Sequence, residues 1–206
     1  MLYQKELYII RHGETDFNRR GIVQGRGVNS DLNHTGRQQA ESFCKAYHHV
    51  PFDKVYTSTL KRTHQTVDCF IRKDIPWEQL PGLDELDWGV NEGRVASMDM
   101  KSDFYRLTQD WMKGELHRKF ENGESPLDVN LRQRDALEYI LSKEEERIVL
   151  ICMHGRAMRL LLCHLMGEDL CRMDSYPHAN VSLYRLRFDG SRFELLDANN
   201  TDHFHA

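Results

Sequence analysis

The chain has 206 residues, 40% of them hydrophobic, and a formal net charge of −4 at pH 7. This length suits one domain built around one core, and an acidic balance with no long basic run excludes a protein devoted to nucleic acid. No apolar stretch approaches the ~20 residues of a membrane span. The amino terminus shows no basic segment followed by an apolar core, so no secretory leader is read there. Five cysteines, at 44, 69, 152, 163 and 171, include no Cys-x-x-Cys spacing. The reading is five reduced, core-type thiols in a cytoplasmic protein.

The first element is the apolar run Leu7-Tyr8-Ile9-Ile10, which passes into Arg11-His12 and ends at Gly13. A short apolar run closed by glycine reads as a buried strand ending in a turn. It leaves a guanidinium and an imidazole at the strand's carboxyl end, where open α/β sheets bind ligands. A polar loop follows from Glu14 to Asn33, a length that marks a loop as either functional or mobile. Asn33 or Thr35 then caps a helix with Ala40, Phe43, Cys44 and Tyr47 on one face, stopped by Pro51. A short strand at Lys54–Thr57 ends at Ser58, read as the cap of a helix that starts at once and carries Arg62.

From Ile75 to Gly123 the pattern is irregular, and residues 75–123 are read as an excursion from the sheet that roofs the site. It contains Leu83-Asp84-Glu85-Leu86-Asp87-Trp88-Gly89 as a loop and a helix through Met100, Phe104, Leu107 and Trp111. Ser125-Pro126 opens the next helix, with a stripe from Val129 to Leu141. Glu144-Glu145-Glu146 is read as its solvated end. Arg147–Met153 repeats the opening design, an apolar run closed by His154-Gly155. A helix with Ala157, Leu160, Leu161 and Leu165 follows, with Gly167 as its stop. Two last strands flank the hairpin turn Asp189-Gly190. His203 and His205 belong to a tail read as disordered rather than metal-binding. The expected fold is a three-layer α/β/α sandwich with a mostly parallel central sheet and a C-terminal antiparallel hairpin, over residues 1–206 as a single domain.

Two histidines and two arginines at one sheet edge suit a tetrahedral oxyanion. Guanidinium forks match phosphate, and two of them share its dianionic charge. A neutral imidazole can attack phosphorus and carry the phosphoryl group covalently; a second, protonated one donates to the equatorial oxygens. The departing alkoxide needs a proton, for which Asp84, Glu85 and Asp87 are equal candidates by chemistry.

Arg11-His12-Gly13-Glu14-Thr15 with Asn18 resembles the signature of the histidine phosphatase superfamily, the phosphoglycerate mutase-like enzymes, and its small bacterial phosphatases in particular. The likeness runs along nearly the whole chain. It takes in Gln24-Gly25, Gly36-x-x-Gln39-Ala40, Ser58-x-Leu60-x-Arg62-Thr63-x-Gln65-Thr66, Leu83-x-Glu85 with Gly89 and Glu92-Gly93, and Gly123-Glu124-Ser125 with the helix to Arg132. His154-Gly155, Asn180-x-Ser182 and Asn199-Asn200-Thr201-x-His203 complete it. The resemblance implies that His12 is the nucleophile, that Arg11, Arg62 and His154 form the phosphate pocket with Asn18 beside them, and that Glu85 is the general acid. Gln24, Gly25, Trp88 and Gly155 are expected to line the substrate site. No metal and no cofactor are implied.

Two departures bear on substrate. The segment after Gln24-Gly25 lacks the family's frequent Asp-x-Pro-Leu, and Arg156 stands where a small residue is common after His154-Gly155. The mutase branch carries Glu-Arg-His-Tyr-Gly in the acid block, whereas this chain reads Glu85-Leu86-Asp87-Trp88-Gly89. Loss of those cationic side chains favours a phosphatase acting on a small phosphomonoester over a mutase, although His117, Arg118 and Lys119 offer substitute charge. A non-catalytic binding module is disfavoured, since His12 and its partners are all present.

Overall fold

The computed structural model describes residues 4–205. Met1–Tyr3, part of the stretch read for a leader, lie outside the described residues. Six strands form one sheet in the order β3-β2-β4-β1-β5-β6: β1 (Lys5–Arg11), β2 (Lys54–Thr57), β3 (Trp77–Gln79), β4 (Ile148–Met153), β5 (Leu183–Phe188) and β6 (Phe193–Asn200). β1 pairs parallel with β4, and β2 parallel with both β4 and β3; β5 runs antiparallel to β1 and to β6. The mostly parallel sheet and the closing hairpin are as the pattern predicts. β3 differs: residues 77–79 belong to the sheet edge, so the excursion begins after Gln79 rather than at residue 75. Only three residues long and half solvated, β3 carries too little apolar pattern to be seen.

The central strands are apolar on both sides because both sides are covered. Leu7, Ile9, Tyr56, Val149, Ile151 and Met153 pack under α5 (Pro126–Ser142) and α6 (Gly155–Leu165). Tyr8, Ile10, Val55, Leu150 and Cys152 face the opposite cluster with Phe43 and Phe70, from α2 (His34–Tyr47) and α3 (Lys61–Ile71). α2 is capped by Asn33, whose side chain accepts from the Gly36 amide, and α5 by Ser125 in a reciprocal capping box with Asp128. The excursion carries α4 (Met98–Met112), capped by Ser97. Among the described residues, no helix is long and apolar enough to cross a membrane.

Several expectations need correction. The loop from Glu14 contains a short helix, α1 (Asp16–Arg20), nucleated by Thr15 and Asn18 in a capping box and stopped by Gly21 at φ +62°. Cys44 and Cys69 are not free thiols but a disulfide joining α2 to α3, with Cα atoms 6.4 Å apart. The two residues are 25 apart in sequence and meet only because the helices pack side by side, so no local spacing announces them. Glu144-Glu145-Glu146 lies in the turn beyond α5, and Glu146 accepts a 2.6 Å bond from the Tyr56 hydroxyl. His203 is not in a disordered tail. It is 4% exposed, packed against Phe43 and Tyr47, because a single 3-10 turn (Asp202–Phe204) docks the chain end on α2. Lys5 is fully buried at the start of β1, where its ammonium donates to the carbonyls of Ile140 and Lys143 at the end of α5.

Candidate active site

β1 and β4 are neighbours in register, Arg11 beside Met153, so their carboxyl ends deliver His12 and His154 side by side, ring centroids 5.2 Å apart. β2 lies on the far side of β4, and α3 after it brings Arg62 to the same edge. Ser58 does not cap α3, which begins at Lys61 with Leu60 as its cap residue. Its hydroxyl meets His154 Nε2 at 2.7 Å and accepts from the Leu60 amide. A side chain read as a helix cap therefore orients an imidazole.

His12 is buried, and its Nδ1–H donates to the Gly13 carbonyl at 2.7 Å. That bond assigns the tautomer and leaves the Nε2 lone pair for attack. Burial, then the charges of Arg62 and Arg11, hold the imidazole well below its ordinary pKa, hence neutral. Burial, then Arg62, the His12 ring and Arg11, likewise hold His154 well below its ordinary pKa and keep it neutral. Its Nδ1 accepts from Arg62 Nε at 3.2 Å, so its proton sits on Nε2 toward Ser58. A neutral His154 still offers Nε2–H as a donor, and the two fixed guanidiniums supply the positive charge.

Arg62 is fully buried, yet its hydrogen bonds all go to neutral groups: His154 Nδ1, the Val28 carbonyl at 2.6 Å and the Gly25 carbonyl at 3.3 Å. Burial lowers its pKa to about 10, which leaves it charged at neutral pH. Arg11 points Nη1 at His178 Nδ1 (3.3 Å), and its buried Nε has no acceptor. Among the described residues neither guanidinium bonds to a carboxylate, and two such groups make an anion site. His178, on the loop before β5, was invisible to sequence reasoning because a lone His after Pro177 carries no pattern. Burial and the nearby Arg11 lower its pKa to about 3, so it meets Arg11 as a neutral acceptor.

The loop around His12 is braced from several elements. Gly13 N donates to Thr66 Oγ1 on α3, and Glu14 N to Gln39 Oε1 on α2. Asn180 Nδ2 donates to the His12 carbonyl and Val181 N to that of Arg11. Val181 does so at φ +60°, a conformation costly for a β-branched residue and typical of functional sites. Gly155 opens α6 where a Cβ would lie 2.6 Å from the His178 ring, so only glycine fits.

Glu85 is where structure separates three chemically equal carboxylates. Its Oε1 accepts from the amides of Leu86 and Ala157, and its Oε2 from that of Arg156. It thus sits on the amino end of α6, within electrostatic reach of both Arg11 and Arg62. Asp84 is committed elsewhere, to Thr59 and Arg26. Asp87 accepts from the Gly89 amide in its own turn. The loop is stapled by Arg132 of α5, which donates to the carbonyls of Gly82, Asp84 and Glu85 and pairs with Glu124. Burial alone would raise the Glu124 carboxyl, but Arg132 carries it below the ordinary range.

The remaining expected residues divide. Asn18 Oδ1 is occupied by Thr15 in the α1 cap. Gln24 spends both ends of its amide, donating to Thr15 Oγ1 and accepting from Ser30. Gly25 reaches the pocket through its carbonyl on Arg62, and Trp88, 8% exposed, packs against Phe104, Trp111 and Phe120 of the excursion. Arg156 bonds Asp174 and lies over the Phe104 and Trp111 rings. Among the described residues, no cluster of His, Cys, Asp and Glu has the makings of a metal site.

Comparison with known proteins agrees with this geometry. The histidine phosphatase superfamily (branch 1) matches residues 7–201. Phosphoserine phosphatase 1 of Hydrogenobacter thermophilus is 28% identical over 96% of this chain and 93% of its own. A probable phosphoglycerate mutase, GpmB, of Proteus mirabilis is 30% identical over 90% of this chain and 86% of its own. The solved structure of Bacillus stearothermophilus YhfR superposes with a TM-score of 0.83 at 29% identity, covering 97% of this chain and 98% of that one. The chain belongs to the histidine phosphatase superfamily.

Proposed function

We propose that this member of the superfamily is a phosphomonoesterase that hydrolyses a small phosphorylated metabolite through a phosphohistidine on His12, without a metal. The observation that carries this reading is a neutral imidazole with its Nε2 lone pair free, set between two guanidiniums to which, among the described residues, no carboxylate is bonded.

Arg11 and Arg62 hold the phosphoryl oxygens, and His154 Nε2–H turns from Ser58 toward them. The His12 Nε2 lone pair forms the new bond to phosphorus as the ester P–O bond breaks in line. Glu85 gives its proton to the departing alkoxide. In the second step water attacks phosphorus, Glu85 takes the proton, and the N–P bond breaks to return His12 to its starting tautomer. Charge shifts onto the equatorial oxygens in both steps, where the fixed guanidiniums need no reorganisation.

Hydrolysis is favoured over mutase transfer because the substitute cations are spent. Arg118 pairs with Asp110, and Lys119 with Asp128, on the outer side of α4 and at the start of α5. A cytoplasmic location rests on the small-metabolite chemistry alone, since the Cys44–Cys69 bond removes the argument from free thiols.

The test is phosphate release over a panel of phosphorylated metabolites in EDTA, with rapid quenching to trap labelled enzyme. Turnover under chelation and an acid-labile phosphoryl group on His12 are expected. Label on serine or cysteine, or activity restored only by added divalent metal, would overturn the mechanism.

A further inference from the structure

Beneath the roof lies a cavity of about 290 Å³ walled by Val23, Trp88, Met100, Phe104 and Phe120, with the Gln24 amide as one of its few polar groups. Three contacts tie it to the phosphate pocket. Gln24 Nε2 donates to Thr15 Oγ1, three residues beyond His12. The Trp88 ring lies against Gly25, whose carbonyl holds Arg62. The Phe104 ring meets Trp88 at 5.3 Å between centroids and also lies 5.8 Å from the Arg156 guanidinium, and the Arg156 amide holds Glu85. Trp88, which walls the cavity, stands three residues after Glu85 in the same loop, so the cavity borders the loop that carries the acid.

That position decides its occupant. The acid protonates the oxygen that leaves, so the group attached to this oxygen lies beside Glu85. We propose that the cavity takes the alcohol half of the substrate, and that this half carries a flat apolar ring. The inference rests on the phosphatase reading and names its substrate class. A polyhydroxylated alcohol entering these walls would give up hydrogen bonds to water with few partners in return. A ring loses none and gains aromatic contact with Trp88, Phe104 and Phe120. The volume is adequate, since cavities of about 150 Å³ hold benzene. Asn91 and the exposed Lys101 supply the few polar groups that orient a ligand in such pockets.

The experiment compares phenethyl phosphate with ethyl phosphate, whose leaving alkoxides make similar demands on the acid and which differ chiefly in the ring. The expected kcat/KM ratio is about 10- to 100-fold in favour of phenethyl. Phenethylphosphonate, which cannot turn over, is expected to inhibit more tightly than ethylphosphonate by a similar factor. Ala96→Phe and, separately, Met100→Trp fill the cavity from two walls. Each should shrink both ratios to less than about threefold while inhibition by orthophosphate stays unchanged, which shows a folded enzyme with an intact phosphate pocket. Equal handling of the two esters and the two phosphonates by the unaltered protein sinks the proposal, as does a preference that survives both fillings. Failure to hydrolyse either ester falls on the phosphatase reading instead, and the phosphonate comparison still decides what the cavity binds.

Discussion

The pocket at the strand ends and the excursion proposed as its roof are built on opposite principles. In the pocket, Arg62, His154 and Ser58 are fully buried polar groups on or just beyond central strands, braced by hydrogen bonds from α2, α3 and the Asn180–Val181 turn. In the roof, the contacts are aromatic rings packed on one another, and apolar side chains such as Val95, Met98 and Tyr105 stand 62–79% exposed. Fixed dipoles suit a reaction whose charge distribution is the same for every substrate. Soft apolar walls suit discrimination among alcohols, because repacking them disturbs no charge. Glu85 belongs to both: its backbone lies in the excursion, and its carboxylate rests on α6 of the sandwich.

If chemistry resides in the pocket, His12→Ala should cost the most, on the order of 10⁴-fold or more in kcat, because no other group forms the intermediate. Quenched-flow labelling that still shows phosphoenzyme in this variant would break the division outright. Glu85→Gln comes next. A loss of about 10²- to 10³-fold is expected on alkyl phosphates and a much smaller one on nitrophenyl phosphate, whose leaving group needs no proton. Burst kinetics must isolate the first step, since Glu85 also serves in the second. Equal losses on both esters would return Glu85 to a merely structural place in the roof.

Arg62→Lys tests whether the pocket reads shape as well as charge. Lysine cannot donate to His154, Val28 and Gly25 while also facing an oxyanion. Falls of about 10- to 100-fold in kcat and in kcat/KM are expected, and an unaltered kcat would remove Arg62 from the transition state. The smallest effect sought is in pH dependence. His12, His154 and His178 all have depressed pKa values in the folded protein. Below the unfolded value near 6.5 the unfolded chain binds more protons, so stability should be complete above pH 6.5 and decline as pH falls. The slope approaches about 1.4 kcal/mol per pH unit for each imidazole that stays neutral. Urea titrations from pH 7.5 to 5 measure it. With nitrophenyl phosphate, whose leaving group needs no proton from Glu85, the first chemical step should not slow as pH falls over the same range, since His12 is already neutral; a rate falling through pH 6.5 would mean that the pocket does not desolvate it.

The strands, their two terminal histidines and the α3 arginine were legible because each is a local pattern: an apolar run, a glycine stop, a helix start. What escaped was made of contacts between distant segments. His178 meets Arg11 across 167 residues, and Arg132 holds the acid loop from 47 to 50 residues away. Ser58 was misread because a hydroxyl before a helix looks the same whether it caps the backbone or turns to an imidazole. By chemistry alone Glu85 and Asp84 were equal, and only the family resemblance preferred Glu85. Nothing in Asp84-Glu85 shows that one carboxylate is claimed by Thr59 and Arg26 while the other reaches α6.

The Cys44–Cys69 bond has a consequence in covalent topology. It closes a ring that contains all of β2 and most of α3, so a denatured chain with the bond intact never fully separates the Arg62 helix from α2. In a chain-entropy account such a loop is worth about 3 kcal/mol, drawn from the unfolded state rather than from any contact in the native one. Reductant should therefore lower the melting temperature and slow refolding while leaving turnover at 25 °C untouched. The bond is a memory of the native arrangement carried by the unfolded chain, and the active site never senses it.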